Sequence, residues 1–222
     1  LSYALKLSDR FPEKKILILT KGNEDESNTK YAQGGIAVVT DFDKDNFEKH
    51  VQDTLIAGGG LCNEEVVNIV IKEGRERVNE LIEWGTRFDK DKEGEYKLGK
   101  EGGHSENRVL HHKDITGYEI ERALLAAIHA RENIEMSTHH FVIDLITQHH
   151  LGHIITRVTT NIRCYGVYVL DRKTNHIDKI IAKTTVLATG GFGQVYRSTT
   201  NPTIASGDGV AMVYRAKGRV GN

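Results

Sequence analysis

Apolar residues recur along this chain at two spacings, and the switches between them mark out its elements. Residues 1–7 place Leu1, Ala4 and Leu5 on one face, with Ser8 next in line, which is the 3.6-residue period of a helix. Phe11 and Pro12 close it. Residues 15–20 (Lys15-Ile16-Leu17-Ile18-Leu19-Thr20) are then an almost unbroken apolar run, the pattern of a buried parallel strand, ended by Lys21-Gly22. Within residues 42–57 a helix is expected from Asp45 or Asn46, with Phe47, Val51, Thr54 and Leu55 on its inner face and Gly58-Gly59-Gly60 as its stop. Asn63 suits the N-cap of a longer helix, because its side chain can accept from a free N–H, and Glu64 and Glu65 suit the positive end. That helix carries a core stripe of Val67, Val70, Ile71, Val78, Leu81 and Ile82 and stops at Gly85.

The second half changes period. Residues 89–97 alternate charge and glycine, as a solvated hairpin or loop does. Thr116-Gly117-Tyr118-Glu119 has the spelling of a capping box and opens a helix whose Ile120, Ala123, Leu124, Ala127 and Ile128 face inward, ending near Arg131. Residues 134–146 hold one or two strands. Residues 154–181 alternate apolar and polar around a polar turn at 171–175, which predicts an antiparallel β-meander, and residues 185–188 read as a strand returning to the parallel sheet. The fold class is therefore α/β: a Rossmann-like parallel sheet with flanking helices and an antiparallel insertion. No internal repeat or linker interrupts its 222 residues, which we treat as a single domain, 1–222.

Composition removes several classes of function. Lys and Arg number 30 against 31 Asp and Glu, so there is no basic face for nucleic acid and any electrostatic site must be local. No apolar run approaches the ~20 residues that span a bilayer, and no signal peptide is visible, so no membrane partner is expected. Cys62 and Cys164 lie far apart without metal-ligand spacing, which fits a reducing cytoplasm and no metal site. The 11 histidines include the pairs His111-His112, His139-His140 and His149-His150; neighbouring side chains diverge, so such pairs are poor metal clamps. Gly190-Gly191-Phe192-Gly193 lacks the G-x-S-x-G nucleophile turn of a serine hydrolase, and the dinucleotide fingerprint of a nicotinamide dehydrogenase is absent.

The chemistry concentrates in glycine-rich stretches. Ser27-Asn28-Thr29-Lys30-Tyr31-Ala32-Gln33-Gly34-Gly35-Ile36-Ala37 follows the first strand by a short polar loop, and bare glycine backbone there allows a ligand to come close. Val186-Leu187-Ala188-Thr189-Gly190-Gly191 repeats the arrangement, and Gly207-Asp208-Gly209 precedes a helix through Val210, Ala211, Val213 and Tyr214. With Asp53-Thr54-Leu55-Ile56-Ala57-Gly58, Glu101-Gly102-Gly103-His104-Ser105 and Thr200-Asn201-Pro202, these stretches resemble, in order and over nearly the whole chain, the flavoprotein family of L-aspartate oxidase, succinate dehydrogenase and fumarate reductase. The Glu101 to Ser105 element resembles its aspartate-oxidising branch.

That resemblance implies bound FAD, contacted by Lys21, Asn28, Thr29, Lys30, Tyr31, Ala32, Gln33, Gly34, Gly35, Phe141, Val142, Gly190, Gly191 and Asp208. Lys21 stands where dinucleotide folds commonly place an acid for the ribose; it either approaches the FAD phosphate or adenosine or is a solvated lysine. Asp208 is either a helix cap or a partner of the ribityl chain or flavin ring. Asn28 replaces the histidine that links flavin covalently in the membrane-complex branch, so the FAD is expected to be non-covalent. The activity implied is oxidation of L-aspartate to iminoaspartate with oxygen or fumarate as acceptor, on the quinolinate route to NAD, with quinolinate synthase as a candidate partner. Glu101 is the expected substrate-orienting residue, unless it pairs at the surface with Lys100 or Arg108. His104 and His111 flank the same loop as candidate hydrogen-bonding residues. The alternatives are a succinate dehydrogenase or fumarate reductase flavoprotein, or an inactive piece of a flavoprotein. The absence of an initiator Met and of a first strand with its glycine loop, and the stop at Asn222, lead us to expect truncation at both ends, with the substrate domain and its catalytic arginine outside the chain. Such a piece should bind FAD weakly and not turn over.

Overall fold

The structure is a computed structural model that describes residues 1–221; Asn222, where the sequence reading places a chain end, lies outside the described residues. The elements run α1 (Ser2–Arg10), β1 (Ile16–Leu19), β2 (Ile36–Ala37), α2 (Phe47–Ala57), α3 (Glu64–Glu83), β3 (Val109–Leu110), α4 (Thr116–His129), β4 (Ile134–Ser137), β5 (His140–Thr147), β6 (Cys164–Asp171), β7 (His176–Ile181) and α5 (Asp208–Arg215). The chain divides into two compact units. One comprises Leu1–Lys6 and Thr29–Arg131; the other comprises Leu7–Asn28 and the chain from Glu132 onward.

In the first unit, α2 and α3 start where the polar caps dictate. The Asn46 side chain accepts from Lys49 N and that of Asn63 from Val66 N. Asp45 therefore lies just before the helix and not in it. β2 pairs antiparallel with β3, Ile36 opposite Leu110 and Ala37 opposite Val109, and Val38 N extends the pairing to Arg108 O at 2.9 Å. Val38, Val78, Phe88 and Leu110 form the core there, with Ile36, Ile82, Tyr96 and Leu98 packed on it.

Three expectations change in this unit. Val70 is 63% exposed, because the buried side of α3 narrows to Ile71 and Val78. The hairpin over 89–97 forms through a Lys90–Tyr96 bridge, but it is not wholly solvated, since Tyr96 and Leu98 reach the core. The capping box at α4 does not form. Ile115 occupies the cap, Thr116 Oγ1 instead accepts from His112 N, and Glu119 turns to Arg122 and Arg87 N.

The second unit carries the parallel pairing. β1 and β4 run side by side from Ile16–Ile134 to Leu19–Ser137, so residues 134–146 contain two strands, β4 and then β5. β1 is only half-buried and its Leu17 is exposed, short of the fully buried strand its apolar run suggests. β5, β6 and β7 form the expected antiparallel meander. Its core is Leu145, Val167, Val169 and, from α5, Met212, with Leu19, Val142 and Leu187 packed against it. The alternation from Ile154 does not become strand until Cys164; Ile154 and Val158 are nearly fully exposed. Residues 185–188 form no strand among the described residues, although Leu187 packs against the meander core. A parallel pair, helices and an antiparallel sheet make the fold α/β, as the periodicities predict.

Candidate functional site

The first unit builds a site around residues 29–35. Ala32 N donates to Thr29 O at 3.0 Å, turning the chain, and Gly117 N, at the start of α4, donates to Ala32 O at 2.9 Å. A Cβ on Gly117 would fall 1.8 Å from Thr29 O. A glycine inside a helix is costly unless backbone must approach it, and here the loop rests directly on it. Gly35 is equally constrained, since its Cβ would lie 2.2 Å from Leu110 O; this glycine serves the β2–β3 contact. Gly34 differs. The nearest atom to its Cβ position is Glu101 Oε1 at 4.0 Å, so it offers open backbone beside a carboxylate. Thr29, Ala32 and Gln33 are exposed, Tyr31 is 53% exposed, and the Lys30 ammonium lies 5.8 Å from the Tyr31 ring centre.

Glu101 opens a tight turn. His104 N donates to Glu101 O, and Glu101 N to His104 Nδ1, while Gly103 takes a left-handed φ of 88°. The expected surface partners of Glu101 are engaged elsewhere. Lys100 donates to Ser105 O, and Arg108 is fully buried. Its guanidinium holds Asp45 bidentately, through Nε at 2.7 Å and Nη2 at 2.8 Å, and Asp53 through Nη1 at 2.5 Å. Asp53 Oδ2 also accepts from Ser105 N at 2.7 Å and Ser105 Oγ at 2.8 Å. Burial opposes the charge of Asp53, but the Ser105 and Arg108 hydrogen bonds outweigh it and hold the carboxyl at about 2. Beneath the turn, His50 is buried with its ring edge-on to His104, 6.1 Å between centres. Burial first, then the charge of Arg108, pushes the His50 pKa down. His111 and His112 face Asp89, at 3.4 and 3.3 Å.

In the second unit the elements converge on Gly190. Lys21, at the end of β1, donates to Ser206 Oγ at 2.5 Å and pairs with Asp208 at the start of α5; both side chains are about four-fifths buried. Lys21 is thus not a solvated lysine. Nor is Asp208 a cap: Gly207 occupies that position, left-handed, without a side-chain hydrogen bond. Gly207 N donates to Gly191 O, and a Cβ on Gly209 would meet Thr189 Oγ1, so α5 docks closely on the Gly190 loop. Gly190 itself is left-handed with φ 70°, and Asn28 Nδ2 lies 3.5 Å from its Cβ position; around Gly191 there is open space. Phe141 and Val142 are half-buried neighbours on β5, and Val142 packs on the core cluster.

Three of these features go beyond what the sequence suggests. Asp45 and Arg108 form the buried centre of the first site, although Arg108 directly precedes the apolar pair Val109-Leu110, a sign of an inward-facing cation. Gly117 supports the loop, and a glycine so early in a helix is the available signal. An open trough along α3, lined by Glu64, Glu65, Asn68, Ile69 and Lys72, includes none of the site residues. Among the described residues no three His, Cys, Asp or Glu side chains gather to hold a metal, and no helix is long and apolar enough to cross a membrane.

Each unit by itself offers features that suit a phosphate-bearing dinucleotide: bare backbone at Gly34 with exposed Thr29, Tyr31 and Gln33 in the first, and bare backbone at Gly190 and Gly191 with the start of α5 in the second. The chain belongs to the FAD-binding domain family, whose model matches residues 1–222, and FAD is its cofactor. Among its relatives is the chloroplastic L-aspartate oxidase of Oryza sativa subsp. japonica, 47% identical over the whole chain and 33% of the relative. The L-aspartate oxidase of Pseudomonas aeruginosa is 44% identical over the whole chain and 41% of the relative. Among solved structures, a mutant E. coli quinol fumarate reductase chain superposes with a TM-score of 0.85 at 28% identity, over 96% of this chain and 34% of that one. The chain thus spans about a third of the length of the rice relative.

Proposed function

We propose that the complete protein oxidises L-aspartate to iminoaspartate. The observation that carries this reading is the exposed Glu101 carboxylate beside the bare backbone of Gly34. Aspartate and succinate share two carboxylates and differ at the α-amino group, so preference for aspartate requires a group that reads an ammonium. An ionised carboxylate does this through a charge-assisted hydrogen bond that neutral side chains do not match. The relatives named L-aspartate oxidase support the same substrate.

The chemistry supplied by bound FAD is removal of a hydride equivalent from the substrate Cα. Lys21, the residues from Asn28 to Gly35, Phe141, Val142, Gly190, Gly191 and Asp208 would hold the cofactor, and Glu101 would orient the amino group. Asn28 is an amide and offers no nucleophile for a covalent flavin link, so retention is non-covalent. Electrons pass on to oxygen or fumarate, and the product serves quinolinate formation on the route to NAD, which makes quinolinate synthase the candidate partner. Two unpaired cysteines suit a reducing compartment such as the cytoplasm.

The test is turnover by the complete protein in air. Peroxide formed stoichiometrically with loss of L-aspartate, and no oxidation of succinate, supports the reading. Succinate oxidation in preference to aspartate would assign the protein to the succinate dehydrogenase group instead.

A further inference from the structure

Glu101 lies on an exposed turn, yet recognition of one amino group requires its carboxylate to stay in one place. A turn built on two glycines does not by itself ensure that, since Gly102 and Gly103 carry no side chains to pack and glycine restricts its own φ and ψ little. The anchorage must come from elsewhere. The turn is fastened at its far end, four residues on. Ser105 delivers both its N–H and its Oγ–H to a single oxygen, Oδ2 of Asp53, at 2.7 and 2.8 Å. Asp53 projects from the second turn of α2, a regular helix, so its backbone is rigid. The third donor to the same oxygen is Arg108 Nη1, and Arg108 Nη2 also reaches Ser105 Oγ at 3.3 Å.

Arg108 is fixed in place, because it is fully buried and its Nε and Nη2 grip Asp45, itself 3% exposed. Arg108 also lies in the chain segment running from the turn into β3, where its carbonyl accepts from Val38 N and its N–H donates to Gly99 O at 3.0 Å. Both stems of the Glu101 turn are therefore tied to one buried charge cluster, through Gly99 on one side and Ser105 on the other. A buried salt bridge contributes little net stability against a well-packed apolar alternative, but it does impose a fixed geometry.

We propose that Asp53, held by Arg108, is the positioning residue that sets the Glu101 turn for recognition of the substrate amino group. This rests on the assignment of Glu101 to the amino group. Asp53 does not contact substrate; it acts through Ser105.

The test compares Asp53→Asn, Ser105→Ala and Glu101→Gln in the complete protein with FAD bound. Amide hydrogen exchange reads the tether directly and needs no activity. Asp53→Asn should speed exchange across residues 102–105 while leaving α3 and α4 protected. It should raise the KM for aspartate about tenfold, the scale of one hydrogen bond to a charged group. Fumarate reduction and FAD content should stay within about twofold, a split that general loosening of the fold would not produce. Ser105→Ala removes the hydroxyl's bonds to Asp53 and Arg108 but keeps the backbone N–H bond, and should act in the same direction, about threefold, should the Asp53 variant fail to fold. Unchanged exchange at 102–105, or equal loss of both reactions in Asp53→Asn and Ser105→Ala, overturns the proposal. If Glu101→Gln fails to separate aspartate from fumarate, the reading of Glu101 fails instead, and the exchange result alone decides the tether.

Discussion

An oxygen of the Glu101 carboxylate lies 4.0 Å from the point where a Cβ on Gly34 would sit, although the two are 67 positions apart in the chain. The contact sets the two adjacent glycines apart. Gly34→Ala meets nothing closer than that carboxylate, whereas Gly35→Ala drives a methyl into Leu110 O and Val109. Gly35→Ala should therefore lower stability by about 1–3 kcal/mol, the usual cost of overpacking. Gly34→Ala should leave the melting temperature unchanged and weaken ligand binding alone. Thermal melts of both variants, with and without FAD, check this; equal destabilisation would contradict it.

The buried cluster should appear in the pH dependence of stability. The Asp53 carboxyl is lowered from 3.8 to about 2 on folding, so its contribution is fully present above about pH 3.8 and is lost as pH falls through about 2. The wild-type advantage over Asp53→Asn should hold steady from pH 7 to about 4 and shrink below that. His50 acts higher. Its folded pKa is below the usual 6.5, so the unfolded chain takes up a proton first, and stability should begin to fall below about pH 6.5. His50→Phe should remove that first decline in denaturant titrations and leave the acid one.

Arg108→Leu should be far more damaging than loss of a surface cation. It strands Asp45 without its bidentate partner in an almost fully buried position. Breaking a buried pair on one side costs about 3–5 kcal/mol. A loss below about 1 kcal/mol, the range of an exposed ion pair, would show that water reaches Asp45.

How much of this was readable beforehand follows the reach of each interaction. Local signals held: Asn46 and Asn63 cap α2 and α3, and the alternation across β6 and β7 becomes an antiparallel sheet. The glycine stretches were legible because few residue types tolerate close backbone approach. What failed depended on distant partners. Thr116 and Glu119 have the spelling of a capping box, but His112, Arg87 and Arg122 outbid it. Val70 has core spacing, yet it stays largely exposed. Arg108 looked available to Glu101, since sequence carries no record that Asp45 and Asp53 converge on it from 63 and 55 positions away. The Lys21–Asp208 pair, 187 positions apart, was hidden for the same reason.

That pair yields its own prediction. Asp208 has Lys21 as its charge partner and Ser206 as a further donor, and all three lie at the start of α5 beside the Gly190 loop. Asp208→Ala should cost about 1–3 kcal/mol of apo stability, the scale of a lost hydrogen bond to a charged group, and leave the protein folded. It should nonetheless weaken FAD retention, which equilibrium dialysis of the complete protein reads. Undiminished retention would remove Lys21 and Asp208 from the cofactor site.

The flavin should also come away intact. Asn28 cannot form a covalent bond to it, so acid precipitation of the complete protein should leave all yellow colour in the supernatant. Flavin fluorescence on the denatured protein band would contradict the assignment.

The decisive measurement is the steady-state kinetics of Glu101→Gln with two substrates. Glutamine keeps the size and one accepting oxygen of the side chain but removes its charge, so only recognition of an ammonium should suffer. KM for L-aspartate should rise about ten- to a hundredfold, the scale of a hydrogen bond to a charged group, while reduction of fumarate, which has no amino group, stays close to wild type. Equal damage to both reactions would mean that Glu101 supports the turn or the flavin and does not read the amino group.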